Sequence, residues 1–199
     1  MNKIYRKYIK RILDLLIAIP SLIIISPLFL IIWFLVKLEE PQSPAIFRQV
    51  RCGKHKKPFE MYKFRSMSSS APKNKSTREF KDSDKYISKL GRFIRLTSID
   101  ELPQIINIIK GDMSFVGPRP VIYEEVQLIK AREEVGAYEI LPGITGFAQI
   151  NGRDEIDIVK KAEYDGEYFR RMNIITDTYL SFMSIPIVLL RKGHKDNGK

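Results

Sequence analysis

The dominant feature of the pattern is an apolar run over residues 15–36, "LLIAIPSLIIISPLFLIIWFLV", without a single charge. As a continuous helix it would measure roughly 33 Å, enough to cross a bilayer. A cleaved signal peptide has a shorter apolar region that ends in small residues, whereas this run continues to Trp33, Val36 and Lys37, so it reads as a permanent anchor. Pro20 and the Ser26-Pro27 step lie inside it. An internal proline removes a helix hydrogen bond and kinks the axis, and a neighbouring serine hydroxyl can return to the backbone. Lys3, Arg6, Lys7, Lys10 and Arg11 precede the run, and Arg48, Arg51, Lys54, Lys56 and Lys57 follow it. By the positive-inside rule both ends face the cytoplasm. A helix broken at Ser26-Pro27 that enters and leaves by one leaflet reconciles these features, with Asp14 at the interface near Lys10 or Arg11. A kinked single-pass helix is the alternative.

Beyond Glu39 the pattern is mixed. "AIFRQVR" and "FEMYKFRSM" have the content of short strands, and "CGKHKKP" between them predicts a β-hairpin. The period of two sets Lys63 and Arg65 on one face and Tyr62 and Phe64 on the other. That basic face suits either solvent or a phosphate. Residues 66–85 are polar and rich in Ser and Lys, a loop that serves as a lid or as a linker. "VIYEEVQLIKAREEV" predicts an amphipathic helix with Val121, Val126, Leu128, Ile129 and Val135 on its buried side. "LPGITGFAQINGRDE" offers Gly143, Gly146 and Gly152 for tight turns and close backbone approach, but matches neither a P-loop nor a dinucleotide fingerprint. The apolar tail "IITDTYLSFMSIPIVLLRKGHK" ends in Arg191, Lys192 and Lys195, which suits a helix at the membrane interface or one in the core. The expected class is α+β and mostly helical, with a membrane arm over 1–38 and a globular part over 39–199.

Charge sharpens this picture. With 34 Lys+Arg against 23 Asp+Glu the net charge is +11, which favours nucleic acid, anionic lipid or a phosphorylated substrate as partner. The single cysteine, Cys52, excludes an internal disulfide and a multi-cysteine zinc site, and fits a reducing compartment. His55 and His194 lie in basic turns, so neither a histidine metal cluster nor a Ser-His-Asp triad is expected.

Against this basic background, Asp100 and Glu101 stand side by side in "RFIRLTSIDELPQIINIIKGDMSFVGPRP", between Arg92 and Arg95 on one side and Arg119 on the other. Ser98 and Glu101 match a capping box, with Pro103 in the early turns and Gly111 closing the helix. A carboxylate at a helix N-terminus stays ionised, so capping does not exclude chemistry. Adjacent helical residues point about 100° apart, so one acid can attack while its neighbour holds a metal. An aspartate nucleophile suits phosphorus, where it forms an acyl phosphate. The developing charge calls for Mg²⁺ and arginines, and magnesium needs few protein carboxylates when phosphate oxygens complete its shell. The prolines of "GPRP" give Arg119 a stiff mount. Together these features point to membrane-attached phosphoryl transfer.

The ordered series "SPAIFRQVRCG", "MYKFRSM", "RLTSIDELPQIINIIKGDMSFVGPRP" and "LPGITGFAQINGR", behind a broken apolar arm, resembles the bacterial sugar transferase family, the monotopic polyprenyl-phosphate phosphoglycosyl transferases. The likeness runs from near Lys7 to near Leu190 and matches the small form that consists of the catalytic domain alone. It implies a cytoplasmic catalytic domain over 39–199, interfacial amphipathic helices, and an arm made re-entrant at Ser26-Pro27. Both termini would lie on the cytoplasmic side of the bacterial inner membrane. It also implies that Asp100 attacks the β-phosphorus of a UDP-sugar and releases UMP. Undecaprenyl phosphate, a polyprenyl phosphate, would then take the phosphosugar and start a glycan or glycoconjugate. Glu101 matches the Mg²⁺ ligand, Lys63, Arg95 and Arg119 match phosphate-site positions, and Asp165 and Asp177 match further acids of the site region. Membrane lipid is an implied partner, no nucleic acid partner is expected, and a homodimer is allowed. "TGF" and "TSID" depart from the more usual "TGW" and "TSLD", and Phe147 offers no indole N–H.

Two rivals remain at this level. A non-catalytic, membrane-tethered basic module that binds anionic lipid or nucleic acid explains the charge but not the acids. A transferase that joins both substrates directly would use Asp100 as a base or metal ligand instead of a nucleophile.

Overall fold

The computed structural model describes residues 3–72, 83–152 and 155–189. The apolar run forms one helix, α1 (Lys10–Glu39), which continues a π-helical turn over Tyr5–Ile9. Helical backbone passes Pro20 and Pro27 without a gap. Pro27 cannot donate to the carbonyl of Ile23 one turn back, and the Ser26 hydroxyl takes that carbonyl instead, at 2.8 Å. Only 11% of the most apolar stretch of the Tyr5–Glu39 helix is buried inside the protein, so it is not the core helix of a water-soluble fold. Ile23, Ile24, Leu30 and Phe34 are exposed along it, a surface suited to lipid.

The arm is nonetheless packed into the rest of the chain. Ala18 joins Met61, Ile105, Ile108 and Met113 in one apolar cluster, and Ile32 and Val36 join Ala45, Phe64 and Ile94 in another. The Phe29 and Phe64 rings meet at 4.7 Å between centroids. Its basic head is tied by polar bonds. Arg11 donates to the carbonyls of Ile108 and Ile109, and Asp14 accepts from the Ser114 hydroxyl at 3.0 Å.

The predicted hairpin is present as β1 (Ile46–Cys52) antiparallel to β2 (Pro58–Phe64), in the register Ile46 opposite Phe64. Met61 and Phe64 are both buried, so neither face of β2 is simply solvated. Next comes α2 (Lys89–Leu96), capped by Ser88, whose hydroxyl accepts from Gly91 N at 2.8 Å. A 3₁₀ turn, Ile99–Glu101, leads through Pro103 into α3 (Gln104–Lys110), which Gly111 ends in the left-handed conformation at φ 92°. A second sheet, which the pattern did not predict, pairs β3 (Ser114–Val116) with β4 (Gly143–Thr145) in parallel. Its members are too short to show periodicity. Glycine is required at its edge, because a Cβ on Gly143 would lie 2.1 Å from the Gly117 nitrogen. The chain also forms α4 (Val126–Glu134), α5 (Phe147–Ile150), α6 (Ile158–Arg171) and α7 (Ile174–Leu189).

Two local expectations are corrected. Ser98 caps nothing with its side chain: it sits in the left-handed region at φ 56°, and the Glu101 carboxylate is drawn away to two cations. In the helix after "GPRP", Val126 is 52% exposed instead of buried, and Val121 lies before α4, although Val121 and Leu128 are buried in one cluster with Ile129 and Val135 packed against it. The central part of the 66–85 loop, residues 73–82, and the tail residues Arg191, Lys192 and Lys195 lie outside the described residues.

Phe64 couples the hairpin to the arm. Replacing it by alanine is expected to cost about 3–5 kcal/mol through lost burial and a residual cavity, whereas exposed Val159→Ala stays within about 0.5 kcal/mol. Thermal unfolding of the two variants side by side checks this, and equal melting points would refute it.

Candidate active site

Two cations, Lys63 and Arg119, and two acids, Asp100 and Glu101, meet where the end of β2, the 3₁₀ turn and the segment 117–121 come together. The Glu101 carboxylate is held from both sides: its Oε1 accepts from Lys63 Nζ at 2.9 Å and from Arg119 Nη2 at 2.7 Å. Lys63 Nζ also lies 3.7 Å from Asp100 Oδ2. Arg95, in the last turn of α2, adds its charge to the field at Asp100. The left-handed Ser98 makes this possible, because it tightens the chain into a 3₁₀ turn that presents both acids before α3 begins.

Asp100 is the buried member, at 8% exposure. Burial pushes its carboxyl above the usual aspartate range, against the pull of Lys63 and with a further upward push from Glu101. Its ionised form therefore depends on the cations around it. On folding, a carboxyl with a raised pKa binds its proton more tightly, so its contribution to stability is full at low pH. That contribution fades as pH rises from the unfolded pKa to the folded one.

Arg51, at the end of β1, is a cation that the sequence reading counted only as a topology signal. Burial, then the charge of nearby Arg119, pulls its guanidinium down to about 10, and Glu101 is among the acids that oppose this. Asp165 and Asp177 are engaged elsewhere. Asp165 accepts from Arg132 Nε at 2.7 Å inside the α4–α6 packing. Asp177 accepts from the Tyr5 hydroxyl at 2.7 Å, from Lys10 Nζ at 2.6 Å and from the Tyr168 hydroxyl at 2.7 Å. Asp177 thus ties the head of α1 to α6 and α7. The sequence reading missed Arg132; the signal that could have found it is its place four residues after Leu128 on the same helical stripe.

Beside Glu101 opens a cavity of about 220 Å³, lined chiefly by apolar side chains, among them Ile25 of α1, Leu102, Phe115, Ile144 and Ile187 of α7. One end of the site is therefore cationic and the other apolar, and the apolar end is walled in part by α1 and α7. Among the described residues no three or more His, Cys, Asp or Glu side chains are grouped so that they could hold a metal ion by themselves. The donor set present is two adjacent carboxylates beside phosphate-type cations, which fits a magnesium ion that takes most of its shell from substrate phosphate and water.

Comparison with known proteins agrees with this arrangement. The model of the family described as "Bacterial sugar transferase" matches residues 5–191. The chain belongs to the bacterial sugar transferase family. Among its relatives is the Salmonella typhimurium protein named undecaprenyl-phosphate galactose phosphotransferase, 36% identical over 202 residues that cover 94% of this chain and 42% of that protein. Escherichia coli UDP-glucose:undecaprenyl-phosphate glucose-1-phosphate transferase is 39% identical, over 90% of this chain and 40% of its own. The chain thus spans about two fifths of these two sugar transferases. It covers 89% of a Bacillus subtilis member, the uncharacterized sugar transferase EpsL, at 40% identity.

The electrostatics of the pair can be read without substrate. In Lys63→Gln the cation that most lowers the Asp100 pKa is lost, so that pKa is expected to rise further. ¹³C NMR titration of labelled aspartate, assigned with Asp100→Asn, checks this. An unchanged or lower pKa in Lys63→Gln would contradict it.

Proposed function

We propose that this sugar transferase moves a phosphosugar from a UDP-sugar to a polyprenyl phosphate such as undecaprenyl phosphate, with Asp100 as nucleophile. The observation that carries the reading is a buried carboxylate beside a clamped acid, with cations on one side and an apolar cavity on the other. The names of the relatives support the substrate classes.

In the first step an Asp100 carboxylate oxygen attacks the β-phosphorus of the donor. The bond between that phosphorus and the bridging oxygen breaks, and UMP leaves with the electron pair. The product is an aspartyl phosphosugar. In the second step an oxygen of the lipid phosphate attacks the same phosphorus, the Asp100 carboxylate leaves, and a polyprenyl diphosphate sugar is formed. Lys63, Arg95 and Arg119 gather the donor phosphates and offset the charge that grows on the phosphoryl oxygens. Glu101, together with those phosphates, would hold Mg²⁺, which when bound neutralises phosphate charge. The lipid phosphate approaches from the apolar side, where the cavity receives the start of its chain.

The same reading assigns α1 as a re-entrant arm and α7 as an interfacial helix, with the site facing the cytoplasm. The exposed apolar surface of both helices supports it; Phe182 of α7, for example, is 67% exposed. A basic module without catalysis is disfavoured by the burial of Asp100, since binding anions needs no desolvated acid.

Membranes containing the protein, given polyprenyl phosphate, Mg²⁺ and a panel of UDP-sugars, are expected to release UMP with a preferred donor. Release should fall to background in Asp100→Asn, in Glu101→Gln and with EDTA. Labelled phosphosugar should also remain on the wild-type protein when the lipid is withheld. Full turnover in Asp100→Asn would overturn the nucleophile, and turnover without trapped label would favour direct transfer.

A further inference from the structure

Segment 117–121, which carries Arg119, is held by every one of its carbonyls. Gly117 O accepts from Gln149 Nε2 at 3.3 Å, and Pro118 O from Gly143 N at 2.8 Å. Arg119 O accepts from Arg132 Nη1 at 2.8 Å, Pro120 O from Arg51 Nη1 at 3.4 Å, and Val121 O from Cys52 N at 2.8 Å. The donors come from α5, β4, α4 and β1, so four elements grip five residues. Two of these donors are guanidiniums, and Arg132 is the more deeply placed, at 2% exposure.

A buried guanidinium needs a counter-charge, and Asp165 supplies it through bonds of 2.7 Å to both Nε and Nη2. Two of the Arg132 nitrogens are thereby fixed by α6, and the third, Nη1, is aimed at the Arg119 carbonyl. On the other side of the same residue, the Arg119 side chain reaches Glu101 at 2.7 Å. The chain of contact is Asp165, Arg132, Arg119 backbone, Arg119 side chain, Glu101. We infer that the Arg132–Asp165 pair is a positioning device that sets where the Arg119 guanidinium stands in the site. Asp165 acts on the site through Arg132 and touches neither acid of the pair. A lysine at 132 keeps the charge but lacks the fork needed to serve Asp165 and the carbonyl together. An asparagine at 165 keeps the shape but leaves Arg132 without its counter-charge.

The test uses the full-length protein in lipid nanodiscs and two readouts. Hydrogen exchange at the amides of Cys52, Gly117 and Gly143, which bond across or within the segment, is expected to quicken about tenfold or more in Arg132→Lys and in Asp165→Asn while the α3 amides keep their protection. Unchanged exchange at those three amides would overturn the inference, whether or not the protein turns over substrate. Loss of α3 protection in both variants would also overturn it, since the pair would then support the whole fold. The second readout, UMP release, rests on the phosphotransfer reading. Each single variant should lose about ten- to a hundredfold, as misplacement by an ångström does, but Arg132→Lys in an Arg119→Ala background should lose less than about twofold more. An equal loss in both backgrounds would mean that Arg132 does not work through Arg119. If the wild type itself releases no UMP with any donor, the functional reading fails while the exchange measurement still decides the positioning role.

Discussion

The Glu101 carboxylate, shared between Lys63 and Arg119, is the joint on which the site is built. It draws the hairpin, the 3₁₀ turn and the proline-flanked segment to one point, and Lys63 strengthens the tie through a second contact, 3.7 Å from Asp100. One acid compensates two cations there, so the cluster retains positive charge for a phosphorylated ligand. The neighbouring Asp100 is buried and its charge depends on the same cations, a setting that suits the nucleophile we propose.

Much of this was legible in the pattern because it rests on local rules. The apolar arm, the hairpin, Gly111 as a helix stop and the grouping of Asp100 and Glu101 with Arg119 follow from periodicity, turn chemistry and charge, whereas the place of Lys63 beside the acids came from the family resemblance. What escaped depends on tertiary contact. Ser98 and Glu101 satisfy the letter of a capping box, but two cations from distant elements outbid the backbone for the glutamate. Arg132 reads as a solvent-facing residue until Asp165, 33 positions later, makes its burial tolerable. Asp177 stands near the head of the arm and away from the acid pair, because its partners Tyr5, Lys10 and Tyr168 can only be found in three dimensions.

The arm carries two kinds of surface that sequence alone cannot separate. Ala18, Ile32 and Val36 face protein, whereas Ile24 at 77% exposure and its neighbours face outward. Hydropathy is blind to this division because both environments are apolar. The cavity beside Glu101 lies where the two surfaces meet, with Ile25 on its wall next to Ser26 and Pro27.

The bonds of Asp177 also order events in time. Its partners Tyr5 and Lys10 are separated from it by 172 and 167 positions, so on the ribosome the arm is complete long before its clasp exists. At roughly 5–20 residues per second that interval lasts about 7 to 28 seconds. Through it the Lys10 ammonium lacks Asp177 and keeps only the acid of its own helix, Asp14, four positions on, as a counter-charge. When α7 emerges, Asp177 adds its clasp to an arm already formed.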